Sequence, residues 1–263
     1  TLELTSYKLV SVFPANVEVG LNPHQGLVVL LNHHTGQIQC LLDGSTITAL
    51  RTAAVSALAT DVLSRKDSKV LAILGAGRQA FEHIRAIAQV RKLDLVRVFS
   101  RNTQRAREFL GPLAEKIAVN IEFTSIVAES VRGADIVVTC TSSKDPILET
   151  SILKPGCHVN AIGACRPGQR EIHVQSQKGL KISLDNFEAC MKEADEIFQD
   201  SMLLHPISGE LGAILDHRIL GRESDDELTI FKSVGLAVQD MFAAKLAHER
   251  ASMRSDIGSK IEF

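Results

Sequence analysis

The chain has 263 residues and a formal net charge of −2, which is enough length for one or two domains with a sizeable core. Its balanced charge disfavours nucleic acid and anionic membranes as partners, because both select a basic surface. No apolar run approaches the roughly 20 residues that span a bilayer, and no signal peptide is recognisable, so we expect a cytoplasmic protein without a membrane partner. The five cysteines form no CxxC pair, and we expect reduced thiols and no metal site.

An antiparallel sheet is predicted near the N-terminus. Three strand-like runs separated by turn residues occur there: Lys8–Phe13, Leu27–Leu31 and Ile38–Leu42. Asp43-Gly44-Ser45 then predicts the cap of a long helix, rich in Ala and Leu, from Thr46 to about Ser64. This part of the chain therefore does not begin a series of alternating strands and helices.

The stretch from Val70 to Ile87 predicts a nucleotide-binding unit. The apolar run Val70–Leu74 is short enough for one buried strand, Gly75-Ala76-Gly77-Arg78-Gln79-Ala80 forms a G-x-G-x-x-A turn, and a helical pattern follows. Gly75 permits the tight turn, Gly77 lets backbone N–H groups approach a pyrophosphate, and Ala80 lets the helix pack closely on the strand. The helix N-terminus offers donors and a positive dipole to the phosphates. The alternative is a glycine turn with a purely structural role.

Strands and helices alternate after this unit. The predicted strands are Leu95–Phe99, Ile121–Phe123, Asp135–Val138, His158–Ile162 and Lys181–Leu184, and the first of them are separated by predicted helices at Thr103–Lys116 and Ile126–Arg132. This alternation predicts an α/β fold with a doubly wound parallel sheet, that is, a Rossmann domain.

The two chain ends predict a second, smaller α+β domain. A long C-terminal helix, Phe231–Arg250, carries one apolar stripe, formed by Val234, Val238, Met241, Phe242 and Leu246. We expect residues 1–65 and 231–263 to pack together as a substrate and dimerisation domain, and residues 66–230 to form the Rossmann domain. Because the chain ends are small for an independent core, we expect a homodimer that completes this core.

The choice of cofactor depends on Ser100-Arg101-Asn102-Thr103, which follows the second strand of the Rossmann domain. A site selective for NAD normally carries Asp or Glu here for the ribose hydroxyls, and Ser100 occupies that position instead. Arg101 offers a positive charge to a 2′-phosphate, with Asn102 and Thr103 as further donors. The sequence therefore favours NADPH, with NADH as the alternative cofactor. If this interpretation is wrong, Arg101 is an ordinary surface arginine at a helix cap.

Further cofactor contacts are expected where other parallel strands end, because doubly wound sheets bind ligands at the carboxyl ends of their strands. Thr141 and Ser142 follow the fourth strand, and the stretch from Ala161 through Gly163 to Cys165 follows the fifth. A role for Cys165 as a nucleophile is disfavoured, because no histidine partner is evident.

Several stretches together resemble the ornithine cyclodeaminase/μ-crystallin family over nearly the whole chain. Two blocks are specific to this family: (L/I)TAxRTAA, here Thr48-Ala49-Leu50-Arg51-Thr52-Ala53-Ala54, and FKS(L/V)G, here Phe231-Lys232-Ser233-Val234-Gly235. The other matching stretches are Tyr7-Lys8-Leu9-Val10, Leu42-Asp43-Gly44, Gly75–Ala80 and Asn160-Ala161-Ile162-Gly163. Proteins of this family begin several dozen residues earlier, and the resemblance implies a further substrate-facing arginine in that segment.

The resemblance implies a homodimeric enzyme that uses NAD(H) or NADP(H) on small α-amino or α-imino acids. The expected reaction is the reduction of a cyclic ketimine, such as pyrroline- or piperideine-2-carboxylate, to the cyclic amino acid. The alternatives within the family are an ornithine cyclodeaminase-type lyase, an alanine-type dehydrogenase and an NADPH-dependent protein that binds a thyroid hormone-like ligand.

The resemblance also assigns residues to the substrate. Arg51 would bind the substrate carboxylate with its two-pronged guanidinium, and Lys8 would polarise that carboxylate or exchange a proton with the imine nitrogen. His24 matches a family contact with cofactor or substrate. Without the resemblance, these residues would be interpreted as a structural salt bridge, an edge-strand lysine and a solvated loop histidine.

The segment Gly163-Ala164-Cys165-Arg166-Pro167-Gly168 bears on the type of reaction. The resemblance implies that ornithine cyclodeaminases carry an aspartate where Cys165 stands, and that this acid would assist the loss of ammonia. Ketimine reductases have a serine followed by Arg-Pro there, which is closer to this chain. We therefore expect a reductase, with Cys165 and Arg166 at the substrate.

On the cofactor side, the resemblance adds Thr52 and the segment Ser233-Val234-Gly235. This segment would open the predicted last helix, and its backbone would approach the nicotinamide or its carboxamide. The alternative for the segment is helix capping alone.

Overall fold

The structure is a computed structural model that describes residues 4–21, 24–199, 202–254 and 256–259. Contacts divide the chain into two compact units: residues 1–51 with 236–263, here called unit 1, and residues 52–235, here called unit 2. The boundaries between the units fall after residue 51, inside the first long helix, and after residue 235, beyond a strand. The sequence predicted them at 65/66 and 230/231.

The strands follow one another in the chain as β1 (Leu4–Val12), β2 (His24–Asn32), β3 (Ile38–Asp43), β4 (Val70–Leu74), β5 (Leu95–Phe99), β6 (Asn120–Thr124), β7 (Ile136–Thr139), β8 (Leu148–Glu149), β9 (His158–Ala161), β10 (Ile172–His173), β11 (Leu180–Leu184), β12 (Phe198–Gln199), β13 (Met202–Leu203), β14 (Ile207–Glu210) and β15 (Leu228–Lys232). The α-helices are α1 (Gly44–Leu63), α2 (Arg78–Val90), α3 (Thr103–Leu110), α4 (Leu113–Ile117), α5 (Val127–Val131), α6 (Phe187–Glu193), α7 (Leu211–Leu215) and α8 (Ala237–Ser252). Short 3-10 helices occupy Pro14–Val19 and Thr150–Ile152.

Unit 1 is built on an antiparallel sheet of β1, β2 and β3 in that order, which confirms the predicted N-terminal sheet. Val28 and Leu30 of β2 are fully buried and form a small core with Ile47 of α1 and Ala244 of α8. Because side chains alternate between the two faces of a strand, this core occupies one face of the sheet.

The other face of β1 is apolar and exposed. Tyr7 and Leu9, on either side of Lys8 in β1, are 64% and 74% exposed. On α8, Phe242 and Leu246 are about half exposed. Phe242 and Leu246 belong to the predicted apolar stripe of the last helix, and in the single chain all four side chains stay open to solvent.

Unit 2 contains an eight-stranded sheet in the order β14-β11-β15-β9-β7-β4-β5-β6, in which every neighbouring pair is parallel. From β4 the chain adds β5 and β6 on one side, and then crosses over to β7 on the other side. The direction of winding reverses between β4 and β7, which is where a doubly wound sheet binds ligands at the carboxyl ends of its strands. The predicted doubly wound sheet is confirmed.

Helix α1 is long and apolar enough to cross a membrane by length and composition alone. The expectation that no apolar run approaches this length was therefore wrong for α1. Half of the 18-residue apolar stretch of α1 is buried inside the structure. Ala53, Ala59 and Leu63 are almost fully inaccessible to solvent. Burial against protein explains the apolar composition of α1, since helices that are apolar on most sides are usually core helices.

Two predicted helices were wrong in extent. Phe231 and Lys232 belong to β15, in the middle of the sheet between β11 and β9, and the last helix begins only at Ala237. A short apolar run that is buried on both faces cannot be assigned to strand or helix from its pattern. The predicted helix Thr103–Lys116 is two helices, α3 and α4, because Pro112 lacks the N–H that a continuous helix needs there.

The start of β4 is fixed by Asp135, which immediately precedes β7. One carboxylate oxygen of Asp135 accepts hydrogen bonds from the backbone N–H groups of Lys69 and Val70, at 2.8 and 2.9 Å. The other oxygen accepts from Arg65 at 3.0 Å and from Lys154 at 2.6 Å. Burial raises the pKa of the Asp135 carboxyl, but Lys154 and the two N–H donors outweigh this effect and lower the pKa below its ordinary value.

We predict that Asp135→Asn lowers the free energy of unfolding at pH 7 by about 2–4 kcal/mol, because buried donors and cations lose their anionic acceptor. The folded-state pKa of Asp135 is lowered, so its stabilisation is present above the ordinary carboxyl pKa of about 4 and is lost as the pH falls below it. Urea unfolding at pH 7 and near pH 3 measures both effects. Asp94→Asn is the control, because its salt bridge with Lys69 is exposed. Equal losses for the two variants at pH 7 would contradict this role of Asp135.

Candidate active site

The glycine turn after β4 has the geometry that the sequence predicts. Gly75 has a φ of +124°, which favours glycine, and a Cβ there would lie 2.8 Å from the carbonyl oxygen of Cys140. Its N–H donates to the carbonyl of Phe99 at 3.1 Å, which ties the turn to the end of β5. Ala80 is fully buried, as expected for close packing of α2 on the strand.

The first turn of α2 leaves room for an anion. Gly77 is the N-cap, no side chain of the described residues caps the helix there, and a Cβ on Gly77 would meet no described atom within 4 Å. Arg78 and Gln79 follow as the first helical residues, and Ala76 lies between the two glycines. The Oε1 atom of Gln79 is buried without a hydrogen-bond partner among the described residues. An uncapped helix start with open space in front of it fits a dinucleotide pyrophosphate.

In the segment after β5, Ser100 and Asn102 form the turn, whereas Arg101 is exposed. Asn102 is the N-cap of α3, and its Oδ1 accepts a hydrogen bond from the N–H of Arg105 at 3.0 Å. The Ser100 hydroxyl accepts from the N–H of Asn102 at 3.2 Å, so both side chains build the turn. Thr103 is the first residue of α3. Arg101 is exposed, and it has no hydrogen-bond or ion-pair partner in the part of the chain that the structure describes.

A buried carboxylate that sequence reasoning missed organises the ends of β7 and β9. Glu171 is fully buried, and it accepts hydrogen bonds from the Thr139 hydroxyl and the Gly163 N–H, each at 2.7 Å, and from the Thr141 N–H. Burial raises the pKa of the Glu171 carboxyl, although these hydrogen bonds oppose the increase. Any Cβ at Gly163 would overlap this carboxylate, so the predicted cofactor-site glycine is required by packing. Ser142, also expected at the cofactor, is exposed, and Ala161 is buried at the end of β9.

The lysine of the FKS(L/V)G block lies inside unit 2. Lys232 is fully buried, and its Nζ donates to Glu196 and to the carbonyl of Ala164, each at 2.5 Å. Glu196 in turn accepts from the N–H groups of Glu171 and Ile172. The Lys232–Glu196 pair therefore braces the segment that carries Cys165, which is half-buried, and Arg166, which is exposed.

The segment Ser233-Val234-Gly235 is a connection between β15 and α8, and not the opening of a helix as the sequence analysis expected. Asp185 accepts hydrogen bonds from the Ser233 hydroxyl and from the N–H groups of Val234 and Gly235, at 2.8 to 2.9 Å. Those N–H groups are therefore occupied, and an approach of this backbone to a carboxamide would use its carbonyl oxygens.

In unit 1 the two predicted substrate cations converge on one carboxylate. The Nζ of Lys8 donates to Oδ1 of Asp240 at 3.0 Å and to the Thr48 hydroxyl at 2.6 Å. The Nε of Arg51 donates to the same Oδ1 of Asp240 at 3.2 Å, and its Nη1 donates to the Gln239 side chain at 2.9 Å. The side chains of Lys8, Arg51 and Asp240 are 19%, 11% and 7% exposed. The prediction that Lys8 and Arg51 act together therefore has a geometric basis.

Asp240 and Gln239 were missed by sequence reasoning. Asp240 interrupts the apolar stripe of α8 between Val238 and Met241, which is the one sequence feature that marks it. An acidic residue in the first turn of a helix also complements the helix dipole, so this feature alone does not indicate a site.

The arrangement can bind a planar carboxylate. The Nη2 of Arg51 has no hydrogen-bond partner among the described residues, and the guanidinium is held in place by Asp240 and Gln239 through its other nitrogens. A guanidinium whose end remains available suits two-pronged binding of a carboxylate. Two further predicted site residues lie near these in the chain. His24 is exposed at the start of β2, and Thr52 is buried in α1 directly after Arg51.

Comparisons with known proteins identify the family of the chain. Residues 1–255 match the model of the ornithine cyclodeaminase/mu-crystallin family. A Delta(1)-pyrroline-2-carboxylate reductase from Bacillus cereus is 38% identical over all of this chain and 82% of its own length. The Thermococcus litoralis Delta(1)-pyrroline-2-carboxylate reductase in complex with NADH and L-proline superimposes with a TM-score of 0.89 and 31% identity, covering 97% of this chain and 80% of that one.

An archaeal alanine dehydrogenase dimer with bound NAD is also similar, with a TM-score of 0.88 and 31% identity over 100% of this chain and 82% of that one. The match extends over nearly every residue of both units and includes the two blocks on which the resemblance was based. The chain belongs to the ornithine cyclodeaminase/mu-crystallin family.

Proposed function

We propose that this protein is an NAD(P)H-dependent reductase of small cyclic ketimines, such as pyrroline- or piperideine-2-carboxylate, and that it forms the corresponding cyclic amino acid. The observation that carries the proposal is the convergence of Lys8 and Arg51 on Asp240, which prepares a carboxylate-binding group. The reductase from Bacillus cereus and the structure from Thermococcus litoralis, which contains NADH and L-proline, support this class of substrate.

The residues of unit 1 would bind and orient the substrate. Arg51 holds the carboxylate, and Lys8 lies beside it with a proton to donate at the imine nitrogen. A reduced nicotinamide cofactor, bound through the glycine turn, supplies the hydride for the imine carbon. Holding the substrate in one orientation is a large part of the catalytic effect, because it converts an encounter between molecules into a reaction within one complex.

The segment after β9 favours a reductase over a cyclodeaminase-type lyase. The resemblance gives the lyases an aspartate at the position of Cys165, to assist ammonia loss, and this chain has a thiol there. A thiol is a poor substitute for a carboxylate in that role. Release of ammonia from ornithine without net change in the cofactor would identify the lyase instead.

We predict that Arg51→Ala reduces kcat/KM for a cyclic ketimine by on the order of a hundredfold or more, because the carboxylate loses a charged hydrogen bond and the imine carbon is misplaced. Arg51→Lys should fail as well, since it keeps the charge but loses the planar fork. Cofactor binding and the thermal midpoint are measured alongside the kinetics. Arg250→Ala, which removes an exposed cation from the same unit, is the control. A folded Arg51→Ala protein that keeps near-parental activity would refute the assignment.

For the cofactor, we propose a preference for NADPH over NADH. No carboxylate is present in the sequence from Phe99 to Gln104, and Arg101 is exposed and available for a 2′-phosphate. The similar structures contain NADH and NAD. The proposed preference for NADPH therefore rests on Arg101 and on the missing carboxylate of this chain.

Arg101→Ala should weaken NADPH binding by roughly tenfold to a hundredfold, the effect of one charge-assisted hydrogen bond, while NADH binding changes little. Fluorescence titration with both cofactors measures the two dissociation constants. Lys92→Ala removes an exposed cation elsewhere in unit 2 and should affect neither cofactor. The same loss for NADPH and NADH would overturn the proposal.

We further propose that the working protein is a homodimer that covers the exposed apolar residues of unit 1. Tyr7, Leu9, Phe242 and Leu246 are between about half and three-quarters exposed in the single chain. Exposed apolar patches of this kind mark association sites. The alanine dehydrogenase dimer supports the same oligomeric state.

Sedimentation of the native protein should therefore show a dimer at micromolar concentration, and Leu9→Lys should shift the equilibrium towards monomer by placing a charge in the interface. Leu220→Lys is the control, because Leu220 is equally exposed but belongs to unit 2. A stable native monomer at this concentration would contradict the proposal.

A further inference from the structure

The two carboxylate oxygens of Asp240 differ in their partners. Oδ1 accepts both hydrogen bonds from the substrate-site cations, from Lys8 at 3.0 Å and from Arg51 at 3.2 Å. Oδ2 has no hydrogen-bond partner in the described ranges. The side chain of Asp240 is 7% exposed, and Oδ2 is not among the buried polar atoms that lack a partner, so this oxygen can be reached from solvent. A hydrogen-bond donor of a ligand that enters the site can therefore reach this oxygen.

The charges of the cluster suggest which donor that is. Lys8 and Arg51 contribute two positive charges and Asp240 one negative charge, and the carboxylate of a bound ketimine adds a second negative charge. The sum is then zero. A proton that moves from Lys8 to the imine nitrogen leaves the sum unchanged, because the N–H bond of the lysine breaks as the N–H bond of the iminium forms. Without Asp240, the positive charge that moves from Lys8 to the ring nitrogen would have no fixed anion beside it.

The helix dipole alone does not explain the position of Asp240. An acidic residue in the first turn of a helix is stabilised by the helix dipole even when it is exposed and unpaired. Asp240 instead binds cations from two other elements, β1 and α1. Its neighbour Gln239 separately holds Nη1 of Arg51, so the guanidinium is positioned even without a second bond to Oδ2.

We propose that Asp240 is the counter-charge for the protonated ring nitrogen of the substrate, and that its Oδ2 accepts the hydrogen bond from that N–H. This inference rests on the proposed function, because it takes Arg51 as the carboxylate-binding residue. It implies that the site prefers a zwitterion to a simple carboxylate: the cationic nitrogen faces Asp240 while the carboxylate binds Arg51.

Two ligands of matched shape test this preference directly. L-Proline carries a carboxylate and a protonated ring nitrogen, whereas cyclopentanecarboxylate has the same ring and carboxylate but no nitrogen. Calorimetry on the full chain with saturating reduced cofactor, which does not react with proline, gives both dissociation constants. The native protein should bind proline at least about tenfold more tightly, the effect of one charged hydrogen bond. Equal or tighter binding of cyclopentanecarboxylate by the native protein would overturn the proposal without any variant.

Asp240→Asn should abolish this discrimination. Proline binding should weaken by roughly tenfold or more, and cyclopentanecarboxylate binding should become tighter, because the site gains one positive charge. Steady-state kinetics on the ketimine should show a lower kcat with an unchanged or lower KM, since the carboxylate is still held while the iminium is no longer stabilised. A variant that merely lost structure would weaken both ligands together.

Glu249→Gln is the matched control, because it removes one negative charge from the exposed side of the same helix. Asp240→Glu keeps the charge and should retain the preference for proline, which covers the case in which Asp240→Asn does not fold. An unchanged ratio of the two dissociation constants in folded Asp240→Asn would overturn this inference while leaving the proposed function intact. Unchanged binding of both ligands in Arg51→Ala would instead refute the proposed substrate site.

Discussion

Two cations can be nearly buried in the small core of unit 1 because a single carboxylate lies between them. Lys8 and Arg51 are less than one-fifth exposed, and both donate to the same oxygen of Asp240. A buried charge without a partner is costly, and one partner shared by two cations leaves the site one positive charge in excess. This residual charge would make unit 1 complementary to the carboxylate of the proposed substrate, so stable burial of the cations and binding of that carboxylate would have the same origin.

Unit 2 shows the same principle in a different place. The fully buried Lys232 is paired with Glu196, and Glu196 and Glu171 together hold the backbone around Gly163 and Thr141. These residues lie at the carboxyl ends of β7 and β9, next to the point where the winding of the sheet reverses. Loops at such ends are where a doubly wound sheet binds its ligands, and here they are held by the buried Lys232–Glu196 pair and by Glu171. Buried charged residues thus shape the region that would hold the cofactor.

The features that sequence predicted well are those with a local cause. The tight turn at Gly75, the small residue Ala80 against the strand and the three-stranded sheet at the N-terminus all follow from short patterns, and the structure contains them. Lys8 and Arg51 are proposed as substrate residues only through the family resemblance, since neither a lone strand lysine nor a lone helix arginine points to a substrate.

What sequence could not supply depends on distant pairs. Asp240 lies 189 positions from Arg51 in the chain, and no local pattern links the two. Lys232 looked like a residue at the start of a helix because the apolar run before it fits either a strand or a helix. Only its place between β9 and β11 shows that it is the end of a central strand. The roles of Glu171 and Glu196 likewise depend on which loops meet above the sheet, which the order of residues does not reveal.

The most direct test of imine reduction is isotopic. The protein is incubated with a cyclic ketimine carboxylate and a reduced cofactor that carries deuterium at the transferable position of nicotinamide C4, and the product is analysed by mass spectrometry. The account predicts one deuterium on the ring carbon that bears the carboxylate, with one cofactor oxidised for each cyclic amino acid formed. A cyclic amino acid without deuterium, or no oxidation of the cofactor by any cyclic ketimine offered, would contradict it.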